Sequence, residues 1–270
     1  MKDKFEFLNA EALEKYNDKV KYAFTTRHGG VSKFPYESLN ISFRNLDERE
    51  NAHENLNIVC ENLGFNYDKI VALYQDHTDK VLVITEENKE EFLFKKHHGY
   101  VYDAAVTNVK NVPLLITVAD CNAVVMYDTK NNVLANIHSG WKGTTKKIYL
   151  KTLDKMIEIF GTNPQDVICQ FSPSIQSCCW KTKDDELVNS FKEYWEYLDE
   201  YVKKDSEGWN HVDFPYVISK DLIEHGIKKE NIYNEGICTC CNVDRFFSYR
   251  KKTELGQLGY GLQVCIVELI

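Results

Sequence analysis

Short runs of apolar residues, rich in β-branched and aromatic side chains, recur along the chain and predict β-strands. The predicted strands cover residues 21–26, 70–75, 81–85, 112–119, 123–127, 133–138, 167–171 and 262–270. Apolar residues at helical spacing predict helices at residues 47–63, 146–160, 184–198 and 219–226. Because the helices are scattered among hairpin-like strands instead of alternating with them, the pattern predicts an α+β fold.

Composition narrows the class of protein. The chain has 270 residues, of which 43% are apolar and 27% charged, as in ordinary globular proteins. No Pro-, Gly- or Ser-rich linker divides it, so we expect a single domain over residues 1–270. No apolar run approaches the roughly 18 residues that cross a bilayer, and the first residues lack the apolar segment of a signal peptide. We therefore expect a cytoplasmic protein without a membrane partner.

Charge and cysteine content bear on partners and chemistry. The net charge of -8 disfavours nucleic acid, a polyanion, as a partner. Nine cysteines, an odd number in a chain far larger than disulfide-stabilised domains, predict reduced thiols in a reducing compartment. Such thiols are available as metal ligands or nucleophiles.

Residues 112–143 carry the most informative candidate chemistry. The predicted strands 123–127 and 133–138 are separated by a polar turn, which predicts a β-hairpin. If residues 128–131 form its loop, Cys121 stands directly opposite His138, with Cβ atoms about 4.5 to 5.5 Å apart. A thiolate and an imidazole at that separation can share one zinc ion.

His77 is the candidate third ligand, because catalytic zinc sites typically use three protein ligands and keep one position open. It lies between the predicted strands 70–75 and 81–85, on a tight connection at a sheet end. The spacing of the three residues matches no local metal-binding signature, and a histidine at a strand end is more often an ordinary surface residue. Both interpretations stay open from the residues alone.

Two glycine-containing segments are candidate anion sites. Arg27 directly follows a predicted strand, and the amides of the following Gly29-Gly30, together with the Arg27 guanidinium, can hold phosphate oxygens. An ordinary turn is the alternative interpretation. Lys142 comes shortly before the helix predicted from residue 146, whose amino end favours an anion. The two segments together suggest a phosphate-bearing partner.

Two further segments have both a functional and a structural interpretation. Cys238 and Cys241 form a C-x-x-C step, and Cys178-Cys179 can complete a four-thiolate zinc site. Against this, adjacent cysteines point apart in a strand, and no second C-x-x-C exists. Residues 245–250 mix aromatic and basic side chains, which is typical of a base-stacking pocket or of a buried strand flanked by surface charges.

Taken together, these segments resemble the laccase-domain family, also called the YfiH/PgeF-type peptidoglycan editing factor or polyphenol oxidase family. The resemblance runs from about Tyr22 to the carboxyl end. The matching motifs are Phe24-Thr-Thr-Arg27, Gly29-Gly-Val-Ser32, Ser38-Leu-Asn40, Gln75-x-His77, Asp103-x-x-Val-Thr107, Ala119-Asp-Cys121, His138-Ser-Gly-Trp-Lys-Gly143, Cys238-Thr239 and Phe246-Phe-Ser-Tyr-Arg250. Each motif is weak by itself, but their order and spacing together are specific.

The resemblance implies a central sandwich of mixed β-sheets flanked by helices. It implies a zinc ion bound by His77, Cys121 and His138, which are then also the catalytic residues. It further implies purine nucleoside chemistry, namely phosphorolysis of adenosine, inosine, guanosine or methylthioadenosine, and hydrolytic deamination of adenosine. Zinc is thus the expected cofactor and inorganic phosphate the expected co-substrate.

Three further residues are the expected substrate-binding groups of this chemistry. Arg27 and Lys142 would orient phosphate against the ribose C1′ carbon. Asp103 is the expected ribose partner or proton donor.

Three other functions compete with this hypothesis. A copper-dependent polyphenol oxidase fits the family's name, and one Cys-His-His site can bind copper, although the eight histidines include none of the His-x-His pairs of multicopper enzymes. A metal-free cysteine hydrolase would use Cys121 as nucleophile and His138 as base. An inactive nucleoside-binding homologue would keep the fold and the ion; Lys142, where the family usually has arginine, is one departure that favours it. The preferred nucleoside and the oligomeric state are left open.

Overall fold

The structure, a computed structural model, describes residues 4–44, 47–96 and 100–270. Its strands are β1 Phe7–Leu8, β2 Val20–Thr25, β3 Val71–Ala72, β4 Val81–Ile84, β5 Ala104–Thr107, β6 Leu114–Val118, β7 Asn122–Asp128, β8 Val133–Ser139, β9 Val167–Phe171, β10 Lys181–Thr182, β11 Val202–Lys204, β12 Asn210–Val212, β13 Ile232–Tyr233 and β14 Gln263–Leu269. Its helices are α1 Arg49–Leu63, α2 Trp141–Thr145, α3 Ile148–Phe160, α4 Asp185–Ser190, α5 Leu198–Tyr201, α6 Phe214–Glu224 and α7 Tyr249–Glu254. The predicted α+β class is confirmed.

Two large mixed sheets pack face to face. One has the strand order β1-β2-β14-β6-β3 and the other β13-β9-β7-β8-β5-β4, while β10, β12 and β11 form a small separate sheet. Ile116 of the first sheet and Val125 of the second belong to one buried apolar cluster. Asn136 of β8 is fully buried there and donates to the carbonyls of Leu114 and Cys265, at 3.0 Å each. These bonds join the two sheets.

Helices cover the outer faces of both sheets. The stripe of α1 that contains Leu56 and Val59 packs on the five-stranded sheet. The apolar faces of α3 and α6 pack on the six-stranded sheet. Every residue of β7 and β8 is buried, because these strands have a sheet on one side and helices on the other. The predicted sandwich flanked by helices is therefore confirmed. Within the described residues, no helix combines the length and apolar character that a membrane crossing needs.

The central hairpin forms with a different register from the predicted one. Ala123, not Cys121, pairs with His138, and the last pair is Asp128 with Val133. The loop begins after Asp128 because its carboxylate accepts the amides of residues 130 and 131, at 2.9 and 3.0 Å. Cys121 therefore lies in the bend before β7.

The helix predicted at 146–160 is preceded by a separate short helix. Lys147 has a left-handed φ of 55°, and this residue separates α2 from α3. The helix predicted at 219–226 begins earlier, at Phe214, because Asp213 caps it by accepting the amide of Tyr216 at 3.0 Å.

The prediction of a single helix at 184–198 was wrong. Helix α4 ends at Ser190 and α5 begins at Leu198. The apolar residues of this stretch still share one buried cluster, and the Trp195 indole donates to the buried Asp221 carboxylate at 2.9 Å. Tertiary packing thus buries the helically spaced apolar residues even though no continuous helix forms.

Candidate active site

Three predicted ligands from distant parts of the sequence converge at one end of the sandwich. His77 comes from the loop between β3 and β4, Cys121 from the bend before β7, and His138 from β8. Their ligand atoms all lie within 4.8 Å of one another, and the two imidazole centroids are 4.9 Å apart. We call this group the His77 centre.

Asp103, just before β5, holds both histidines of the centre. Its carboxylate accepts the amides of Asp76, His77 and Thr78, at 3.2, 3.0 and 2.6 Å. It also lies 2.7 Å from Nδ1 of His138, which leaves the other ring nitrogen of that histidine for the centre. His77 has a left-handed φ of 54°, a strained conformation for a non-glycine residue that these hydrogen bonds stabilise.

The electrostatics of the centre follow from burial and from the close contacts. Burial, assisted by His138, lowers the pKa of His77 to about 4, so this imidazole is neutral, which is the metal-binding form. Burial acts to lower the pKa of His138 as well, but Cys121 and Asp103 outweigh it and raise that pKa to about 9. Burial acts to raise the pKa of Asp103, but hydrogen bonds with His138 and Thr78 lower it to about 2. Asp103 is thus a carboxylate.

The His77 centre fits a metal ion. Nδ1 of His77 is buried without a hydrogen-bond partner, which is costly unless something else binds it. A Cβ atom at Gly140 would lie 2.4 Å from this Nδ1 and 2.9 Å from Sγ of Cys121, so both atoms face the same small space and only glycine leaves room for them. Two imidazoles and one thiolate suit zinc or copper.

The side chain of Gln75, the first residue of the Gln-x-His motif, anchors the loop that contains His77. Its side-chain amide donates to the Thr117 carbonyl and its side-chain oxygen accepts the Thr117 amide, both at 2.8 Å. These bonds attach the His77-containing loop to β6. The loop is thereby held by the five-stranded sheet, although His138 belongs to the six-stranded sheet.

Asp120 fixes the position of the neighbouring Cys121. Its buried carboxylate accepts the hydroxyls of Thr239 and Ser248, at 2.6 and 3.0 Å, and the amide of Arg250 at 2.7 Å. Burial raises its pKa, against the effect of these donors. The bend that carries Cys121 is therefore tied to the segment that enters α7.

A cavity of about 680 Å³ opens over the His77 centre, a size typical of small-molecule sites. All three residues of the centre line it. Its aromatic lining residues are Trp141, Trp180, Phe214, Tyr249 and Tyr260, and its basic ones are Arg44, Lys142 and Arg250. The cavity therefore offers faces on which a planar ring can stack and cations that can bind an anion.

Of the predicted substrate-binding residues, Lys142 lines this cavity and Arg27 and Asp103 do not. The Arg27 guanidinium donates to the carbonyls of Glu37 and Val243, at 2.9 and 2.8 Å, and lines a separate cavity of about 110 Å³. Asp103 is fully buried beneath His138. The geometry therefore gives Asp103 a positioning role toward the histidines.

The glycine segment after Arg27 does not form the predicted anion cradle. The Gly30 amide donates to the Ser38 hydroxyl at 3.1 Å, and the Val31 amide donates to the Asn55 side chain at 2.8 Å. A Cβ at Gly30 would lie 2.2 Å from the Ser38 carbonyl, so this glycine serves close packing. The second segment begins its helix earlier than predicted, since the short helix α2 already contains Lys142, and Lys142 lines the cavity.

The aromatic and basic segment 245–250 does not form a strand, and its residues divide between the core and the cavity. Phe246 and Phe247 are buried, as in the structural interpretation, whereas Tyr249 and Arg250 line the cavity. Arg250 also donates to the carbonyl of Cys179, at 2.5 Å.

Sequence reasoning missed several cavity residues. Arg44 stacks over the Tyr74 ring, with its guanidinium carbon 3.9 Å from the centroid, and donates to the carbonyl of Gln75. Tyr260 packs edge to face on Tyr249, with centroids 5.3 Å apart. The matching Ser38-Leu-Asn40 motif lies close to Arg44 in sequence, but no local pattern marks Arg44 or Tyr260 as cavity residues.

The fold and the site define a β-sandwich protein with a His-Cys-His centre at the base of a ligand-sized cavity. The sequence model of the family described as multi-copper polyphenol oxidoreductase laccase matches residues 21–267, and the chain belongs to this laccase-domain family. The predicted resemblance is confirmed.

Two named relatives and a solved structure match most of the chain. A purine nucleoside phosphorylase of Bacteroides thetaiotaomicron is 29% identical over 93% of this chain and 92% of its own length. Purine nucleoside phosphorylase YlmD of Bacillus subtilis is 28% identical over 87% of this chain and 84% of its own length. The crystal structure of a Bacillus licheniformis hypothetical protein, YfiH, superposes with a TM-score of 0.87 at 27% identity and covers 99% of both chains.

Proposed function

We propose that this protein is a zinc-dependent purine nucleoside phosphorylase that also deaminates adenosine. The observation that carries the proposal is the convergence of three ligand atoms within 4.8 Å at the base of a cavity with aromatic and basic walls. The names of the relatives from Bacteroides and Bacillus support the phosphorolysis.

His77, Cys121 and His138 would hold the zinc ion. When bound, zinc supplies Lewis acidity and an activated water at a position open to the cavity. The fully buried Asp103 fixes the His138 ring and the backbone of residues 76–78, so the ligands are preorganised. Gly140 keeps the space between His77 and Cys121 free of a side chain.

The cavity walls supply binding and orientation. We assign the stacking of the purine to the aromatic residues and the binding of phosphate to Lys142, Arg44 and Arg250. In phosphorolysis, a phosphate oxygen bonds to the ribose C1′ as the bond from C1′ to the purine nitrogen breaks, and the electron pair leaves with the purine. Adenosine and phosphate thus give adenine and ribose 1-phosphate. In deamination, adenosine and water give inosine and ammonia.

We further propose that these reactions take place in the cytoplasm, on free nucleosides. The described cysteines are all unpaired thiols, which is typical of a reducing compartment.

One incubation tests the two reactions together. The purified protein is mixed with adenosine, with and without phosphate, and adenine, inosine and hypoxanthine are resolved by chromatography. We expect adenine only when phosphate is present, and inosine under both conditions. Neither product with zinc-loaded protein would contradict the proposal and favour an inactive nucleoside-binding homologue.

Copper-dependent phenol oxidation is the second candidate, because the family is named for it and the same three ligands suit copper. Among the residues that the structure describes, the His77 centre is the one candidate metal group that includes histidine. Multicopper enzymes use several histidine-containing copper sites. Metal analysis of protein purified without added copper, together with a phenol oxidation assay, separates the two functions. Copper with phenol turnover would replace our proposal.

A further inference from the structure

A second group of metal-ligating side chains lies outside the His77 centre. Cys178 and Cys179 are in one turn, and Cys238 and Cys241 begin and end another. Their sulfur atoms all lie within 4.8 Å of one another. We call these four residues the four-thiol cluster.

The sulfur separations match those around a single metal ion. Sγ of Cys241 is 3.6 Å from that of Cys178 and 3.4 Å from that of Cys179, and the two adjacent cysteines are 3.9 Å apart. Four sulfurs at about 2.3 Å from one tetrahedral zinc ion are about 3.8 Å from each other. An iron–sulfur cluster would instead place several irons and sulfides between its cysteines. The arrangement therefore fits one ion.

The backbone brings the two turns together before any ion is considered. The Ser174 amide donates to the Ile237 carbonyl and the Thr239 amide donates to the Ser174 carbonyl, both at 3.1 Å. The Gln176 amide points at Sγ of Cys238, at 3.5 Å, as amides commonly do toward metal-bound thiolates. Adjacent cysteines would point apart in a strand, but here they lie in a turn, so both sulfurs reach the same place.

We propose that Cys178, Cys179, Cys238 and Cys241 bind a structural zinc ion through four thiolates. Four protein ligands close the coordination shell, so the ion has no open position for chemistry and stabilises the fold instead. Cys240 lies in the same turn, but its sulfur does not belong to the group of four, and we do not assign it as a ligand.

The ion would stiffen one wall of the substrate cavity. Trp180, which lines the cavity, directly follows Cys179. Arg250, another lining residue, donates to the Cys179 carbonyl at 2.5 Å. Thr239, between two of the cysteines, donates to Asp120 beside Cys121 at 2.6 Å. Loss of this ion should therefore raise the KM for nucleoside while the His77 centre keeps its own metal.

Native alkylation tests the proposal on the unaltered protein. Cys178 and Cys241 are exposed, so as free thiols they would react first with iodoacetamide. We expect both to be protected in protein purified in reducing buffer, and to react after a chelator removes zinc, as read by peptide mass spectrometry. Rapid alkylation of both residues before chelation would overturn the proposal, and so would a disulfide between cluster cysteines.

Metal analysis of matched variants separates this site from the proposed active site. We expect about two zinc ions per chain in the native protein, and about one in both Cys241→Ser and Cys121→Ala. Cys240→Ser, a change of the same kind in the same turn, should keep about two. One zinc that Cys121→Ala removes and Cys241→Ser does not would overturn the four-thiol site and leave the proposed function standing. The reverse pattern would support the four-thiol site and contradict the proposed function.

Cobalt replacement keeps the test decisive if Cys241→Ser does not fold. Cobalt in the native protein should give the intense visible absorption of a tetrahedral tetrathiolate site, and Cys121→Ala should retain it. Absence of that absorption from cobalt-loaded native protein, or iron in place of zinc in the metal analysis, would overturn the proposal.

Discussion

The His77 centre and the four-thiol cluster differ in how the fold presents similar ligands. The centre takes three ligands from loops and a strand end at the base of a cavity, and its His77 and His138 are fixed by one buried carboxylate, Asp103. The cluster takes four sulfurs from two turns, and two of its members, Cys178 and Cys241, are exposed. Three protein ligands beside a cavity leave one coordination position for a substrate, whereas four protein ligands fill a tetrahedral shell.

This contrast indicates that the number of protein ligands and the adjoining space decide the role of a metal site more than the ligand type does. Cys121 and Cys241 are both thiols beside other metal ligands. Only Cys121 borders the 680 Å³ cavity. We therefore expect the same loss of one thiol to remove catalysis at one site and to weaken structure at the other.

Cys121→Ala and Cys241→Ser should differ most strongly in their effect on catalysis. Cys121→Ala should lower the turnover number for adenosine phosphorolysis by about 1000-fold or more, because a metal contributes several kcal/mol to the transition state. Cys241→Ser should chiefly lower the melting temperature and raise KM. Steady-state kinetics and thermal unfolding of both proteins measure this. Near-native turnover by metal-free Cys121→Ala would contradict the assignment.

Gly140→Ala sharpens the same contrast without removing a ligand. The new Cβ would overlap Nδ1 of His77 at 2.4 Å, so the ring must move, and a displacement of about 1 Å at an active site can cost about 100-fold in rate. Gly143→Ala is the matched control, since its Cβ would meet no atom closer than 3.5 Å. We expect zinc content and turnover to fall in the first variant only. Equal zinc content in the two would show that Gly140 is not needed for ligand approach.

Asp103→Asn tests the support beneath the ligands. An asparagine keeps the shape, but its amide group faces donors that now bind a carboxylate, including the His77 amide at 3.0 Å. Loss of such a partner typically lowers metal affinity or activity by about 10- to 100-fold. Zinc affinity from competition with a chelator, with the melting temperature as a control for folding, measures this. Unchanged affinity would leave Asp103 a purely structural residue.

Lys142→Gln should have the smallest effect. Lys142 lines the cavity but is exposed, so its contribution to phosphate binding should be about 1 kcal/mol or less, or about fivefold in the KM for phosphate. Zinc content should not change. Lys155→Gln, the same charge change on the exposed side of α3, is the control. A similar KM in both variants would remove Lys142 from the phosphate site.

Much of the fold could be predicted from the sequence because its strands are buried and separated by clear turns. Strand β9 matches its predicted range, and β7 and β8 form the predicted hairpin. The register shifted because Asp128 caps the turn with its carboxylate instead of belonging to the loop. Such side-chain capping is not visible in an apolar pattern.

The three candidate ligands could be predicted because each adjoins a predicted strand and belongs to a family motif, whereas the roles of other residues depend on tertiary packing. His77, Cys121 and His138 each adjoin a predicted strand, and they do converge. The segment around Arg27 has the composition of an anion site, but the Arg27 guanidinium donates to the backbone carbonyls of Glu37 and Val243. Tyr260 reaches the cavity only through tertiary packing, which no local pattern records.

The four-thiol cluster is a site that local sequence patterns disfavoured and that tertiary structure nevertheless assembles. In a strand, the adjacent side chains of Cys178 and Cys179 would diverge. They lie in a turn, and the pairing of Ser174 with Cys238 brings the second turn alongside. The cysteines alone could not reveal that pairing.

Anomalous X-ray diffraction at the zinc edge, from crystals of the native protein grown without added metal, would locate the proposed zinc ion of the His77 centre. We predict a strong anomalous difference peak at the base of the cavity, within bonding distance of His77, Cys121 and His138. No peak at these three residues in zinc-containing protein, or a peak whose signal belongs to copper, would contradict the account.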